Sequence, residues 1–159
     1  MKKVVSIFLV LIFVFSLTAC SQMPFNGDIE FHDISLTVPE RFVRNSTQSN
    51  DDLWVFEHDN YSEYIIISRK DITGEVQSAL SDYAEYMKEN GAESEIVSFL
   101  NDNAVLSTYY KDDEFCQEIL FVYRDSFYAV ALRGDSKNDF KEITDTISLI
   151  ETSADTASK

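Results

Sequence analysis

The sequence predicts an α+β domain in which two amphipathic helices pack on a mainly antiparallel sheet. Short segments that alternate apolar and polar residues, as half-buried strands do, recur along the chain. Two other segments repeat their apolar residues at helical spacing. In the second half, strand-like segments follow one another across turns of two or three residues. Such short connections force neighbouring strands to run antiparallel.

Four strands are predicted before the first helix. Residues 29–31 and 34–38 alternate apolar and polar side chains. Residues 44–52 are polar and are expected to form a loop. Residues 53–57 and 64–68 form the next two strands. Because residues 64–68 include apolar side chains on both faces of the strand, we expect this strand to be central and covered on both faces.

The rest of the chain adds a helix, four strands and a second helix. Residues 74–90 have helical periodicity, with Thr73 as the expected N-cap and Asn90-Gly91 as the expected stop. A second helix is expected over 137–150, with an apolar stripe made of Phe140, Ile143, Ile147 and Ile150. The four strands between the helices are expected at about 95–100, 104–111, 115–124 and 127–133, with turns at 101–103, 112–113 and 125–126.

The first twenty residues have the pattern of a secretory signal. Two lysines precede an apolar run over 4–17, which is shorter than the roughly 20 residues that a membrane-spanning helix needs. The segment Leu17-Thr18-Ala19-Cys20 resembles the lipobox of bacterial lipoproteins. This resemblance implies that diacylglycerol is attached to the Cys20 thiol and that the chain is cleaved between Ala19 and Cys20.

The lipobox resemblance predicts how the chain is divided and where it resides. The predicted parts are a signal peptide over 1–19, a lipidated tether over 20–28, one α+β domain over 29–150 and a flexible tail over 151–159. The mature chain would carry 11 basic residues against 28 acidic ones, a net charge of −17. Since Cys20 would carry lipid, Cys116 would be the one free thiol, and no intramolecular disulfide could form. The expected location is the extracytoplasmic face of the cell membrane.

The order of elements over 29–150 resembles the PsbP-like fold, an α/β/α sandwich. The resemblance rests on Ile34-Ser35-Leu36-Thr37-Val38-Pro39, the amphipathic helix in mid-chain, the four-strand meander and the closing segment Ile147-Ser148-Leu149-Ile150. It implies a binding role, because known members of the fold mostly bind proteins. A cystatin-like or other single-sheet α+β fold is the alternative.

Candidate catalytic residues are few. His32 and His58 each precede an aspartate, so they could form a shared metal site or an acid–base pair. Two solvated turn residues are the favoured interpretation, since no H-x-x-x-H or H-E-x-x-H spacing supports zinc. Cys116 could be a nucleophile, but its place in an apolar strand next to Glu114 favours a buried, inert thiol.

Acidic clusters and tyrosines are the remaining candidates. Asp51-Asp52 and Asp112-Asp113-Glu114 could bind a cation, but neither has the spacing of a calcium loop, and a solvated hairpin tip is the simpler interpretation of the second. Tyrosines suit binding surfaces. Here we expect them mainly to fill the layers between sheet and helices, and those on the predicted elements are Tyr83, Tyr86, Tyr109, Tyr110, Tyr123 and Tyr128.

Charge and motifs narrow the function. A formal net charge of −15 argues against nucleic acid as a partner, because nucleic-acid binding needs a basic surface. No G-x-S-x-G, G-x-G-x-x-G or P-loop motif occurs, so we expect neither a cofactor nor catalytic residues. The expected function is a lipid-anchored, non-catalytic binding or accessory domain for another envelope protein. A cation-binding or sensing lipoprotein is the first alternative, and an envelope enzyme is the second.

Overall fold

The computed structural model of the protein describes residues 27–58, 63–73, 76–134 and 137–151. These ranges contain ten strands and two helices. Their bounds are β1 (Gly27–Phe31), β2 (Ile34–Val38), β3 (Phe42–Arg44), β4 (Leu53–His58), β5 (Tyr64–Asp71), α1 (Val76–Glu89), β6 (Glu93–Phe99), β7 (Asp102–Lys111), β8 (Glu114–Tyr123), β9 (Ser126–Gly134), α2 (Lys137–Thr144) and β10 (Ser148–Leu149). The predicted α+β class, with a mainly antiparallel sheet and two helices, is confirmed.

Seven strands form the larger sheet, in the order β3-β4-β5-β9-β8-β7-β6 with every pair antiparallel. The predicted four-strand meander is its second half, β6 to β9. Two of the meander turns, at Leu100-Asn101 and Asp112-Asp113, have both central residues at positive φ, as type I′ hairpin turns require. The first turn lies at 100–101 and not at 101–103, and the third lies at 124–125, one residue earlier than the sequence suggested.

A small sheet, in the order β1-β2-β10, packs with α2 on one face of the large sheet. Helix α1 packs on the other face, over β6, β7 and β8. Strand β8 shows the division clearly, because Ile119 and Phe121 belong to the larger core, whereas Leu120 and Val122 pack in the smaller core under α1. Consecutive strand residues point to opposite faces, so these two cores lie on opposite sides of the sheet.

Helix α1 begins at Val76 and ends where the sequence indicated. The amide of Gly91 donates to the Lys88 carbonyl, and the amide of Ala92 donates to the Met87 carbonyl. Gly91 has φ +87°, which a residue with a Cβ rarely adopts. This is the Schellman arrangement, and it confirms the Asn90-Gly91 stop. The residues directly before Val76, on which the Thr73 cap depends, lie outside the described residues.

Two short strands were missed, and the second replaces part of the predicted closing helix. Strand β3 lies just before the predicted loop and overlaps it only at Arg44, and its three residues pair with the end of β4. The closing helix stops at Thr144 and not at 150, and β10 then pairs with β2. The Thr146 hydroxyl donates to the Ile143 carbonyl and accepts from the Thr37 amide, which turns the chain out of the helix and toward β2. Ile147 remains buried, but outside any helix.

Two further expectations need adjustment. Strand β5 is central, but only Ile65 and Ile67 are fully buried, whereas its opposite face is half-buried because α1 covers β6 to β8. The expectation that both faces of β5 are covered is therefore met on the face of Ile65 and Ile67 and only in part on the opposite face. Strand β1 begins at Gly27, two residues before the predicted strand, because Gly27 and Asp28 pair with β2.

Candidate functional site

The two histidines lie at opposite ends of strand β4. His32 contacts Asp51 and Asp52, the two residues before β4, whereas His58 is the last residue of β4 and packs edge-on against Phe42 with ring centroids 5.6 Å apart. Six residues at about 3.4 Å each separate these ends by roughly 20 Å. The hypothesis of a shared metal site or acid–base pair is therefore wrong. Asp59, which follows His58, lies outside the described residues.

His32 belongs to a chain of polar contacts along one end of the large sheet. Its Nε2 donates to the Asp51 carbonyl at 2.7 Å and lies 3.4 Å from the Asp52 carboxylate. Asp52 lies 3.4 Å from the Arg69 guanidinium, which also pairs with Asp71 at 2.6 Å. Basic groups of the same chain therefore contact the Asp52 carboxylate, whereas Asp51 takes part through its backbone carbonyl.

Asp33 joins the small sheet to the large one through a second set of contacts. It lies in the turn between β1 and β2, accepts a 2.9 Å hydrogen bond from the Tyr128 hydroxyl and pairs with the Arg124 guanidinium. Tyr128 is fully buried in the central strand β9, and burial together with the Asp33 hydrogen bond raises its pKa. This arrangement fixes the position of the β1–β2 turn on the end of the large sheet.

The second acidic cluster is a hairpin tip, as the simpler interpretation had it. Asp112 and Asp113 are the two turn residues between β7 and β8, and Glu114 begins β8. Arg133 on the neighbouring strand pairs with Glu114 and lies 3.4 Å from Asp112. In the described ranges, no group of three or more histidine, cysteine, aspartate or glutamate side chains is arranged to hold a metal ion.

Cys116 lies buried on β8, and its Sγ is 3.7 Å from the Glu114 carbonyl oxygen. Burial raises the pKa of the thiol, and the nearby Arg133 only partly opposes this rise. A thiol with a raised pKa supplies little thiolate at neutral pH. The structure thus agrees with the interpretation of Cys116 as a buried, inert side chain.

The polar group that the sequence analysis missed is Glu118, on β8 beneath α1. Its carboxylate accepts a 2.5 Å hydrogen bond from the Tyr83 hydroxyl of the helix. Desolvation by burial raises the pKa of Glu118, and the hydrogen bond from Tyr83 opposes the rise. Burial and the nearby carboxylate in turn raise the pKa of Tyr83 and Tyr109. This hydrogen bond ties α1 to the sheet. The Glu118 carboxylate therefore already has a donor within the chain, the Tyr83 hydroxyl.

A sequence signal for this pair exists in part. Alternation places Glu118 on the same face as Cys116 and Leu120, and a carboxylate on an otherwise apolar strand face implies a buried partner. The donor could not be identified in that way, because Tyr83 is 35 residues away in the chain. Of the tyrosines that we expected in the layers, Tyr83 and Tyr128 lie there, whereas Tyr110 is 72% exposed.

The lipobox and Cys20 lie outside the described residues, so lipid attachment remains a prediction from the sequence. In the ranges that the structure describes, neither helix is both long enough and apolar enough to cross a membrane. Comparisons with protein-family models and with curated protein sequences found no match.

Solved structures resemble the described domain, and two of them show the extent of the likeness. The solution structure of cyanobacterial PsbP (CyanoP) from Synechocystis aligns with a TM-score of 0.54 and 11% identity, over 84% of this chain and 98% of that one. The fold is PsbP-like. A crystal structure from Bacteroides thetaiotaomicron aligns with the same TM-score and identity over 81% of this chain, which spans 50% of that protein's length. At 11% identity, the likeness concerns the fold alone.

Proposed function

We propose that the protein is a lipid-anchored, non-catalytic binding domain that acts on another protein at the extracytoplasmic face of the cell membrane. The observation that carries the proposal is the combination of a lipobox ending at Cys20 with a PsbP-like domain. The structural alignment of this domain covers 98% of the length of CyanoP. Known members of this fold mostly bind proteins. The α/β/α sandwich is part of the proposal, with α1 as one outer layer and α2 with the small sheet as the other.

The charge of the chain indicates which partners fit. Four arginines of the described domain pair with carboxylates of the same chain, and these are Arg41, Arg69, Arg124 and Arg133. These four arginines are thereby neutralised within the domain, and the chain keeps a large excess of acidic side chains. Such a surface attracts basic partners and repels acidic ones, most strongly at low salt.

The two alternatives have less support. A cation-binding lipoprotein would need free carboxylates, but those of Asp52, Asp112 and Glu114 contact basic side chains of the same chain. An envelope enzyme would need a reactive group, but Cys116 is buried and its pKa is raised.

Crosslinking in native membranes tests the proposal. The wild-type protein is expected to give a reproducible, near-stoichiometric crosslink to one partner, identified by mass spectrometry. The Cys20→Ala variant should lose both the membrane association and the crosslink, because one cysteine carries the anchor. The matched control is Cys116→Ala, which removes the other cysteine and should keep the crosslink. A blank with the wild-type protein would overturn the binding role.

A further inference from the structure

Strand β6 forms one edge of the large sheet over the ranges that the structure describes. Among the described residues it pairs only with β7, and its seven residues make this edge longer than the opposite one, where β3 has three residues. An edge strand presents a row of unpaired N–H and C=O groups to solvent, which can pair with another chain. The length of β6 therefore makes it the stronger of the two edges as a template for an added strand.

The hairpin turn determines which backbone N–H and C=O groups of β6 point toward the open edge. In a two-residue hairpin the residues that flank the turn, here Phe99 and Asp102, form a hydrogen-bonded pair. Hydrogen-bonded and non-hydrogen-bonded pairs then alternate along the ladder. The backbone groups of Ser94, Ile96 and Ser98 consequently point away from β7, toward the open edge. Ile96 lies in the middle of this set.

Ile96 is also apolar and exposed. Its exposed fraction is 51%, the largest of any aliphatic side chain among the exposed large hydrophobic residues of the described ranges. Natural proteins protect long edges with lysine, proline or a bulge at such a position. Here the outward-facing residue at the centre of the edge is a β-branched apolar residue, which favours pairing with a strand.

The surroundings of this edge are acidic. Glu93 and Glu95 are exposed on β6 itself. A shallow depression of about 370 Å³ lies against the first half of β6. Its lining consists of Lys88, Ala92, Glu93, Ser94, Glu95, Leu106 and Thr108, which contribute two carboxylates and one ammonium group. The net negative charge of this lining suits the charged end of a lysine or arginine side chain. The aliphatic side chains of Ala92 and Leu106 suit its apolar stem.

We propose that the free edge of β6 receives an extended, basic segment of a partner protein, which adds an eighth strand to the large sheet. This inference rests on the proposed binding function and names its surface and the chemistry of its partner. Backbone hydrogen bonds would supply affinity, and the depression would select side chains at alternate positions. A second copy of the chain fits less well, because it would bring its own Glu93 and Glu95 to the shared edge.

The test uses the mature lipidated protein in detergent micelles and two synthetic peptides as long as β6. One peptide alternates lysine with valine, and the other alternates glutamate with valine. With saturating basic peptide, hydrogen exchange of the outward amides of Ser94, Ile96 and Ser98 is expected to slow by about tenfold or more, because strand addition pairs them. The acidic peptide should give no protection.

Two sets of variants make the test specific. Ile96→Pro removes the central outward donor without breaking a β6–β7 hydrogen bond and should abolish protection, whereas Ile96→Val should keep it. The double variant Glu93→Lys/Glu95→Lys should shift binding from the basic to the acidic peptide. This second variant keeps the inference testable if the proline variant does not fold, which thermal unfolding will show.

Several outcomes would overturn the inference. The first is that the basic peptide fails to protect β6, or protects β3 instead. The second is that a folded Ile96→Pro variant responds to the peptide as the wild type does. The third is that β6 becomes protected without peptide as the protein concentration rises, which would indicate self-pairing. The proposed function fails separately, if the wild-type protein gives no crosslink in membranes. A membrane crosslink that survives in Ile96→Pro would place the partner elsewhere and overturn only the edge inference.

Discussion

Tyr128→Ala is expected to lower the free energy of unfolding by about 3–5 kcal/mol, measured by denaturant unfolding with fluorescence and circular dichroism. Tyr128 is fully buried in the central strand β9, and its ring stacks on Phe121 with centroids 5.7 Å apart. Its hydroxyl holds Asp33 in the turn of the small sheet. The substitution removes both the ring, which fills the core between the two sheets, and the hydrogen bond that joins them.

Tyr128→Phe is the matched control, since it keeps the ring and removes the hydroxyl. It is expected to cost about 1 kcal/mol, because Asp33 keeps its ion pair with Arg124. A loss below about 1 kcal/mol in the alanine variant would contradict the role of Tyr128 in the core. Equal losses in the two variants would mean that the hydroxyl and not the ring holds the sheets together.

The second large effect is expected at the contact between α1 and the sheet. Tyr83→Phe should lower the free energy of unfolding by about 1.5–3 kcal/mol at neutral pH, because it removes a hydrogen bond from the part-buried Glu118 carboxylate. In a Glu118→Gln background the same substitution should cost less, since a neutral amide needs the donor less. Unfolding of the two single variants and the double variant measures the coupling between these residues.

The dependence of stability on pH follows from the raised pKa of Glu118. The pKa of this carboxyl is near 4.5 in the unfolded chain and higher in the folded chain. At a pH between these two pKa values, the folded chain binds more protons than the unfolded chain. Its free energy of unfolding therefore falls as pH rises through this window. Glu118→Gln should remove this part of the pH dependence and be at least as stable as the wild type at neutral pH. An unchanged pH dependence in Glu118→Gln would contradict the assignment.

Local periodicity explains why much of the fold could be predicted. The meander and α1 are long enough to show their period, and two-residue turns fix the neighbours of each strand. Strands β3 and β10, with three and two residues, are too short to show any period. Ile147 even continued the helical spacing of Phe140 and Ile143, although its segment leaves the helix to reach β2.

The missed contacts are those made across long sequence separations. Tyr83 and Glu118 are 35 residues apart, and Asp33 and Tyr128 are 95 residues apart. Sequence analysis could place each residue on an element but could not show which elements meet. For the same reason His32 and His58, similar in sequence context, proved to lie at opposite ends of β4.

The most direct test of the proposed anchored binding domain is the intact mass of the protein extracted from its native membrane, with fragmentation of its first residues. We expect a chain that begins at Cys20 and carries diacylglycerol on that thiol, because the lipobox defines both the cleavage site and the attachment site. The same measurement on Cys20→Ala should show no lipid. A wild-type chain that keeps residues 1–19, or begins elsewhere without lipid, would contradict the anchor and with it the proposed function.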